Sequence, residues 1–371
     1  MRLDINLLFL LCVITVTTHA QELRPPSLNI GDQAPPLRLR GWLKGTPVER
    51  LEKGRLYVVE FWATWCAPCR SAMPHLSALA RKYRNALTVL SIDVMEKKTT
   101  PFEKIKAFVD SMGDLMDYAV AAEQGYLMQT GWLNAAETQG IPTCFIINAE
   151  GKIAWIGHPM LLEEVLPEIL NNTWDIKAAL ARRNLHRRLA KLDSEAYYEL
   201  IRFRHDPYKP QELRDPDSVL LIINEIVKKE PGLKYTPTIA FQTFVALLKT
   251  DPQKAYEYGK VVLVTPTYTE PAWPQIRAAV KMYADKLNLP AQIYRLGAEA
   301  YRAEIDHIAF PENVDLYKYY NNMAILYWRA NDTLKAIDAQ QKAIADMKNR
   351  KSYSSATLAE YEAKLQQYKS K

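Results

Sequence analysis

Cysteine is scarce in this chain, with four in 371 residues. One of them, Cys12, falls in an N-terminal apolar stretch that we expect to be removed. Cys66, Cys69 and Cys144 remain, too few to staple a disulfide scaffold. Charge of one sign is also lacking: 48 Lys and Arg against 42 Asp and Glu leave a formal +6. No basic cluster is interleaved with stacking aromatics, so a nucleic-acid partner is not expected. Beyond the N-terminus no run is apolar enough to cross a bilayer. What is present suits globular packing, with 48% hydrophobic and 24% charged residues. The length allows two domains.

The N-terminus reads as an export signal. Met1-Arg2 gives a short positive start, weakened by Asp4, and an apolar stretch follows from Leu7 to Val16. Thr18 and Ala20 have the small-residue spacing of a cleavage site, which places the cut before Gln21 and the mature protein outside the cytoplasm, most readily in a periplasm. The stretch is short for a membrane span. A lipid anchor on Cys12 is not expected, because Phe9-Leu10-Leu11 precede it where that processing needs a small residue.

Residues 21–55 carry Pro25-Pro26, Pro35-Pro36, Gly41 and the alternating Leu37-Arg38-Leu39, which predict an extended arm with a small hairpin. Residues 56–62 are a dense run of β-formers, predicting a buried strand. Helical spacing follows over 67–84, then a second buried strand over 87–94. Residues 97–137 read as polar and helical, with Pro101-Phe102 at one helix start and 126–136 as another. Strands are predicted over 143–147 and 153–156, and a helix over 159–170. The order β-α-β-α-β-β-α implies a mixed sheet with helices on both faces.

After about residue 172 strand signals nearly vanish. We expect a signal segment over 1–20, an α/β domain over 21–174 and an all-helical domain over 175–371. Within the last, Asn322, Ala324, Tyr327 and Trp328, a turn at Ala330-Asn331-Asp332, and Ala336, Ala339 and Ala343 resemble one tetratricopeptide-like hairpin at 319–347. A weaker echo runs over 244–264. An irregular helical bundle accounts for the same pattern.

The chemistry concentrates at Trp65-Cys66-Ala67-Pro68-Cys69. The pair follows a strand and opens a helix, where free N–H groups and a partial positive charge favour an anion. A thiol there loses its proton more easily, and the thiolate is the nucleophile of disulfide exchange. Cys66, at the helix mouth, is the expected attacking thiol. Cys69, one turn in, is expected to resolve the mixed disulfide. Pro68 stiffens the turn between them. A bare Cys-x-x-Cys is also half of a zinc site. The other candidate ligands, Cys144 and His158, lack a second paired spacing, so neither metal nor cofactor is expected.

Glu60-Phe61-Trp62-Ala63-Thr64-Trp65-Cys66-Ala67-Pro68-Cys69, Pro74 and Gly140-Ile141-Pro142-Thr143 occur in that order, followed by a stretch from Phe145 to Ile153. Together these resemble the thioredoxin superfamily over residues 30–171, and its TlpA/ResA branch of thiol–disulfide oxidoreductases in particular. The resemblance implies a thioredoxin-like fold and a cis Ile141–Pro142 bond in a loop that faces the cysteine pair and binds substrate backbone. It also implies protein disulfide or dithiol substrates. A reductant of this kind needs recharging, so a membrane-embedded electron donor is an expected partner. The helical extension inherits nothing from the resemblance, and its partner is unknown.

Glu60 is an acid in an apolar strand. Burial raises a carboxyl pKa, which suits a proton acceptor near neutral pH, and Glu60 resembles the family's buried acid beneath the second cysteine. It is expected to take the proton of Cys69. The lysine that often partners this acid in the family is absent, and Val89 is expected in its place. Trp65 is expected to shield the disulfide and pack on substrate, Trp62 to pack in the core, Cys144 to be a buried inert thiol, and His75 to be solvent-exposed. His158 reads as a surface or packing residue. The reaction expected is disulfide reduction. An oxidase or isomerase remains open, as does a partner-binding helical module with an attached redox domain. The Trp-Cys-x-x-Cys helix start argues against a peroxidase.

Overall fold

The computed structural model describes residues 26–138, 140–204, 215–265, 271–308, 314–350 and 353–370. The expected export segment, its cleavage point at Gln21 and Cys12 lie outside them.

The first half is a six-stranded sheet with helices on both faces. Its elements are β1 (Leu39–Lys44), β2 (Leu56–Trp62), α1 (Ala67–Lys82), β3 (Leu87–Asp93), α2 (Phe102–Met112), β4 (Ala119–Glu123), β5 (Thr143–Ile147), β6 (Ile153–Gly157) and α3 (Leu162–Leu170). The strand order is β1-β4-β3-β2-β5-β6. β2, β3 and β4 run parallel, and β5, β6 and β1 are antiparallel to their neighbours. β2 is central and buried on both faces, which is why it reads as an unbroken β-forming run rather than an alternation. Val58 and Trp62 face a core shared with Met73, Leu76 and Leu79 of α1 and with Val109 of α2. Tyr57, Val59 and Phe61 face the other core, where Trp132 packs edge-on against Phe145 at 5.3 Å.

Two expectations need correction. Residues 97–137 are not simply helical: beyond α2 they hold β4, Ala-Val-Ala-Ala-Glu, buried along its whole length, and the expected helix at 126–136 contains a single π-helical turn over Gln129–Asn134. Alanine is depleted in strands, so local propensity hides β4; pairing with β1 and β3 on either side makes it a strand. Among its described residues the arm before residue 55 forms no hairpin of its own. Its strand, β1, pairs with β4 at the sheet edge.

The second half is helical: α4 (Ile176–Arg204), α5 (Pro216–Lys229), α6 (Pro237–Thr250), α7 (Pro252–Val264), α8 (Trp273–Tyr283), α9 (Ala291–Asp306), α10 (Leu316–Arg329), α11 (Thr333–Lys348) and α12 (Ser355–Lys369). Local chemistry explains several starts. Asp215, Asp251, Asp332 and Ser354 accept first-turn N–H groups, and proline opens α5, α6 and α7, where its missing N–H costs nothing. α10 and α11 form a hairpin around buried Ala324, Ala336 and Ala339, turning at Asn331 with φ of 56°. In the pair α6–α7, Gly259 lies under Leu296 and Phe244 with no room for a Cβ.

α4 belongs physically to both halves. Ile176, Ala179 and Leu180 pack on the sheet, while Leu189, Ala196 and Leu200 pack with Ile223, Leu233 and Ile239. Arg183 donates to Asn29 Oδ1 (2.6 Å) and to the Ala136 carbonyl, and Arg187 pairs with Glu137. Trp174, just ahead of α4, donates its indole N–H to the Ala154 carbonyl at 2.9 Å. No described helix is long and apolar enough to cross a membrane.

Candidate active site

β2 ends at Trp62, and the chain turns through Ala63, Thr64 and Trp65 into α1. Cys66 is the N-cap of that helix. Its extended backbone (φ −80°, ψ 98°) directs Sγ back over the first turn, where it accepts the Cys69 N–H at 3.2 Å. Pro68 occupies the first turn. The two cysteines are joined in a disulfide with Cα atoms 5.3 Å apart. Reduction would leave a thiol at Cys66 facing free N–H groups, which favours its anion. Cys69 is fully enclosed and Cys66 nearly so, at 3% exposure, whereas Trp65 beside them is 58% exposed.

The loop before β5 closes the other side. The Ile141–Pro142 bond is cis, Pro142 is buried, and the Ile141 carbonyl oxygen lies 3.8 Å from Cys66 Sγ. The fold therefore brings Trp65, Cys66, Pro68, Cys69, Ile141 and Pro142 to one place.

Glu60 sits on β2, the strand that leads into this group, and is 2% exposed. The Ser91 hydroxyl donates to its Oε2 at 2.5 Å. Burial pushes the carboxyl up to about 8, partly offset by that hydrogen bond. In the register, Ser91 of β3 stands directly opposite Glu60, and Val89 stands opposite Val58. On the other side stands Cys144 of β5, a buried free thiol held well above its ordinary pKa by burial and then by Glu60. The Tyr118 phenol, also raised by burial and by Glu60, completes a polar group that the sequence does not reveal.

Trp62 is buried and stacks on Phe108 at 5.5 Å. His75 departs from the expectation of solvent exposure. It is half-buried beside Pro159, and burial lowers its pKa. His158 caps the turn after β6, its Nδ1 accepting the Met160 N–H, and burial lowers its pKa too. Among the described residues no group of three or more His, Cys, Asp or Glu is placed to hold a metal ion.

Sequence reasoning missed a set of acids behind Trp65. Glu96 Oε1 accepts both the Thr64 N–H (2.8 Å) and the Thr64 hydroxyl (2.6 Å), two residues ahead of Cys66. Glu123 accepts the N–H groups of Met95, Met128 and Gln129. Met95, at φ 58°, offers its carbonyl to the Trp65 indole at 3.3 Å. Asp93 is 2% exposed and pushed up to about 9 by burial, then by the charges of Glu96 and Glu123. It is a neutral acid at pH 7. The available signal was two acids three apart, Asp93 and Glu96, directly at the end of a buried strand.

The pattern of the thioredoxin family matches residues 48–111. Protein FixW of Rhizobium leguminosarum is 28% identical over 152 residues, 40% of this chain and 69% of that protein. The thiol–disulfide oxidoreductase ResA of Bacillus subtilis is 25% identical over 168 residues, 44% of this chain and 88% of that protein. A thioredoxin H-type of Ricinus communis is 42% identical over 94 residues, 22% of this chain and 76% of that protein. Among solved structures, a putative protein disulfide isomerase from Bacteroides thetaiotaomicron covers 39% of this chain and 91% of its own, at 24% identity and a TM-score of 0.32.

Proposed function

Because this chain belongs to the thioredoxin superfamily as a ResA/TlpA-like thiol–disulfide oxidoreductase, we propose that it acts outside the cytoplasm as a reductant of disulfides in protein substrates. In this reading the Cys66 thiolate attacks a substrate sulfur, forming one S–S bond and releasing the other substrate sulfur as a thiolate. Cys69 then loses its proton to the Glu60 carboxylate and attacks Cys66 Sγ. The substrate leaves as a dithiol, and the Cys66–Cys69 disulfide carries the two electrons' worth of oxidation. A membrane-embedded donor restores the dithiol, since an oxidising compartment needs a supplied electron source.

One observation carries the reading: Cys66, disulfide-bonded to Cys69, caps a helix N-terminus beside Ile141–Pro142, and the strand that leads into it carries a buried acid. The proposed division is a redox domain over 21–174 and a helical domain over 175–371, with α4 anchoring one to the other. The helical domain engages a partner or the substrate itself.

Three measurements test this. A Cys69→Ser variant should accumulate a mixed disulfide between Cys66 and substrate, and none should form with Cys66→Ser. The potential of the pair decides direction: about −270 mV supports a reductant, about −180 mV the alternative isomerase and about −120 mV the alternative oxidase. Export predicts that the mature chain begins at Gln21, which N-terminal sequencing of protein secreted by a bacterial host checks.

A further inference from the structure

One flank of α1 opens on a cleft of about 990 Å³. One wall is the redox helix itself, with Pro68, between the two cysteines, and Arg70. The floor is apolar, formed by Leu115 and Met160. The far wall comes from the helical region: His307 and Ile308, just after α9. His307 is held in place, its ring tilted against Trp273 with centroids 4.5 Å apart and its Nδ1 2.7 Å from the Ala303 carbonyl oxygen. Leu115 is 47% exposed, so the floor presents apolar surface to whatever enters.

The charges in the cleft point one way. Arg70 is the one permanent charge among the described residues lining it, and no carboxylate is among them. His158, which also lines it, is an exposed imidazole whose pKa is lowered by partial desolvation. The volume, at the upper end for ligand sites, and the apolar lining with few polar groups suit an extended peptide segment. Because Pro68 lies between the disulfide-forming residues, a chain attached at Cys66 is already at the cleft mouth.

We propose that this cleft receives the substrate segment flanking the attacked cysteine, an extended apolar stretch bearing an acidic side chain that pairs with Arg70, and that His307 and Ile308 make the helical region a specificity wall of the redox site. This rests on the oxidoreductase reading above and assigns that site its substrate class.

The test uses the reduced full chain and three probes. Two are synthetic peptides with an intrachain disulfide and identical apolar residues, one with Glu and one with Lys beside the cysteine. The third is 2-hydroxyethyl disulfide, small and neutral. The readout is each peptide's second-order rate divided by that of the small disulfide, which removes changes in Cys66 reactivity itself. The Glu peptide should exceed the Lys peptide by about tenfold, a typical effect of one charge-assisted contact. Arg70→Glu should reverse the order. Ile308→Glu, on the far wall, should lower the Glu-peptide ratio about fivefold by placing a like charge across the cleft. Equal ratios for the two peptides with the native chain would overturn the acidic-segment assignment. An Arg70→Glu effect with none from Ile308→Glu would overturn the specificity wall. Failure to reduce 2-hydroxyethyl disulfide would instead refute the underlying oxidoreductase reading.

Discussion

Replacing Glu60 by Gln separates the stability cost of the buried acid from its service to the chemistry. Gln keeps the shape and an oxygen to accept from Ser91, and removes only the ability to ionise. Glu60 moves from 4.5 to about 8 on folding because burial disfavours its anion. Below pH 4.5 the carboxyl is protonated in both folded and unfolded chains, and the substitution should be nearly neutral for stability. As pH rises through the 4.5-to-8 window, the unfolded chain releases this proton while the folded chain keeps it, and the native state loses stability. The loss amounts to about 3 kcal/mol at pH 7 and approaches about 5 kcal/mol above pH 8. Glu60→Gln should therefore stabilise the oxidised chain at pH 7 to 8.5 and not at pH 4, in denaturant titrations followed by near-UV circular dichroism. The functional consequence has the opposite sign. Cys69 needs an ionised Glu60, so the rate of mixed-disulfide resolution should rise with pH through about 8 in the native chain. In the Gln variant it should be slower by about 100-fold, the usual worth of a positioned base, with the inflection lost. Stopped-flow single turnovers with a fluorescent disulfide peptide would show this. A stability gain equal at pH 4 and 8.5, or a resolution rate that keeps its inflection near 8 in the variant, would refute the reasoning.

Glu96→Ala removes the acceptor for both Thr64 donors; about 1–3 kcal/mol of loop positioning should be lost, visible as a changed Trp65 fluorescence response to reduction and a shifted pH profile of Cys66 alkylation. Asp93→Asn should raise stability at pH 7 and leave it unaltered below pH 3.8, because burial and the neighbouring carboxylates hold Asp93 up to about 9; a gain that does not depend on pH would contradict this. Gly259→Ala should destabilise the helical region by about 1–3 kcal/mol despite alanine's better helix propensity, since its Cβ would lie 2.4 Å from Leu296 Cδ2; thermal melts at 222 nm measure it. Arg183→Ala leaves the Ala136 carbonyl without its α4 donor and Asn29 with only one hydrogen bond to α4, the one to Asn184, and limited proteolysis should then cut within 171–176 faster than in the native chain.

Much was legible because it is local. The strand over 56–62, the helix opening at the Cys-x-x-Cys pair, the strands over 87–94, 143–147 and 153–156 and the helix ending at Leu170 follow from periodicity, helix-start chemistry and turn residues that lie within a few positions of one another. The thioredoxin-like fold and the attention to Cys66, Cys69 and Glu60 came from such short stretches. Four things only the tertiary structure decided. β4 is a strand because its neighbours pair with it, against the preference of its alanines. Ser91 stands opposite Glu60, because register is a property of two strands and not of either. Glu96 reaches Thr64 across 32 positions of chain, and its partner Asp93 is a neutral acid only because the fold dehydrates it. Finally, His307 and Ile308 line one cleft with Pro68 and Arg70 of the redox helix, more than 200 positions away in the chain. Burial and long-range pairing set which side chains share a dielectric and a hydrogen bond, and no local pattern in the chain encodes either.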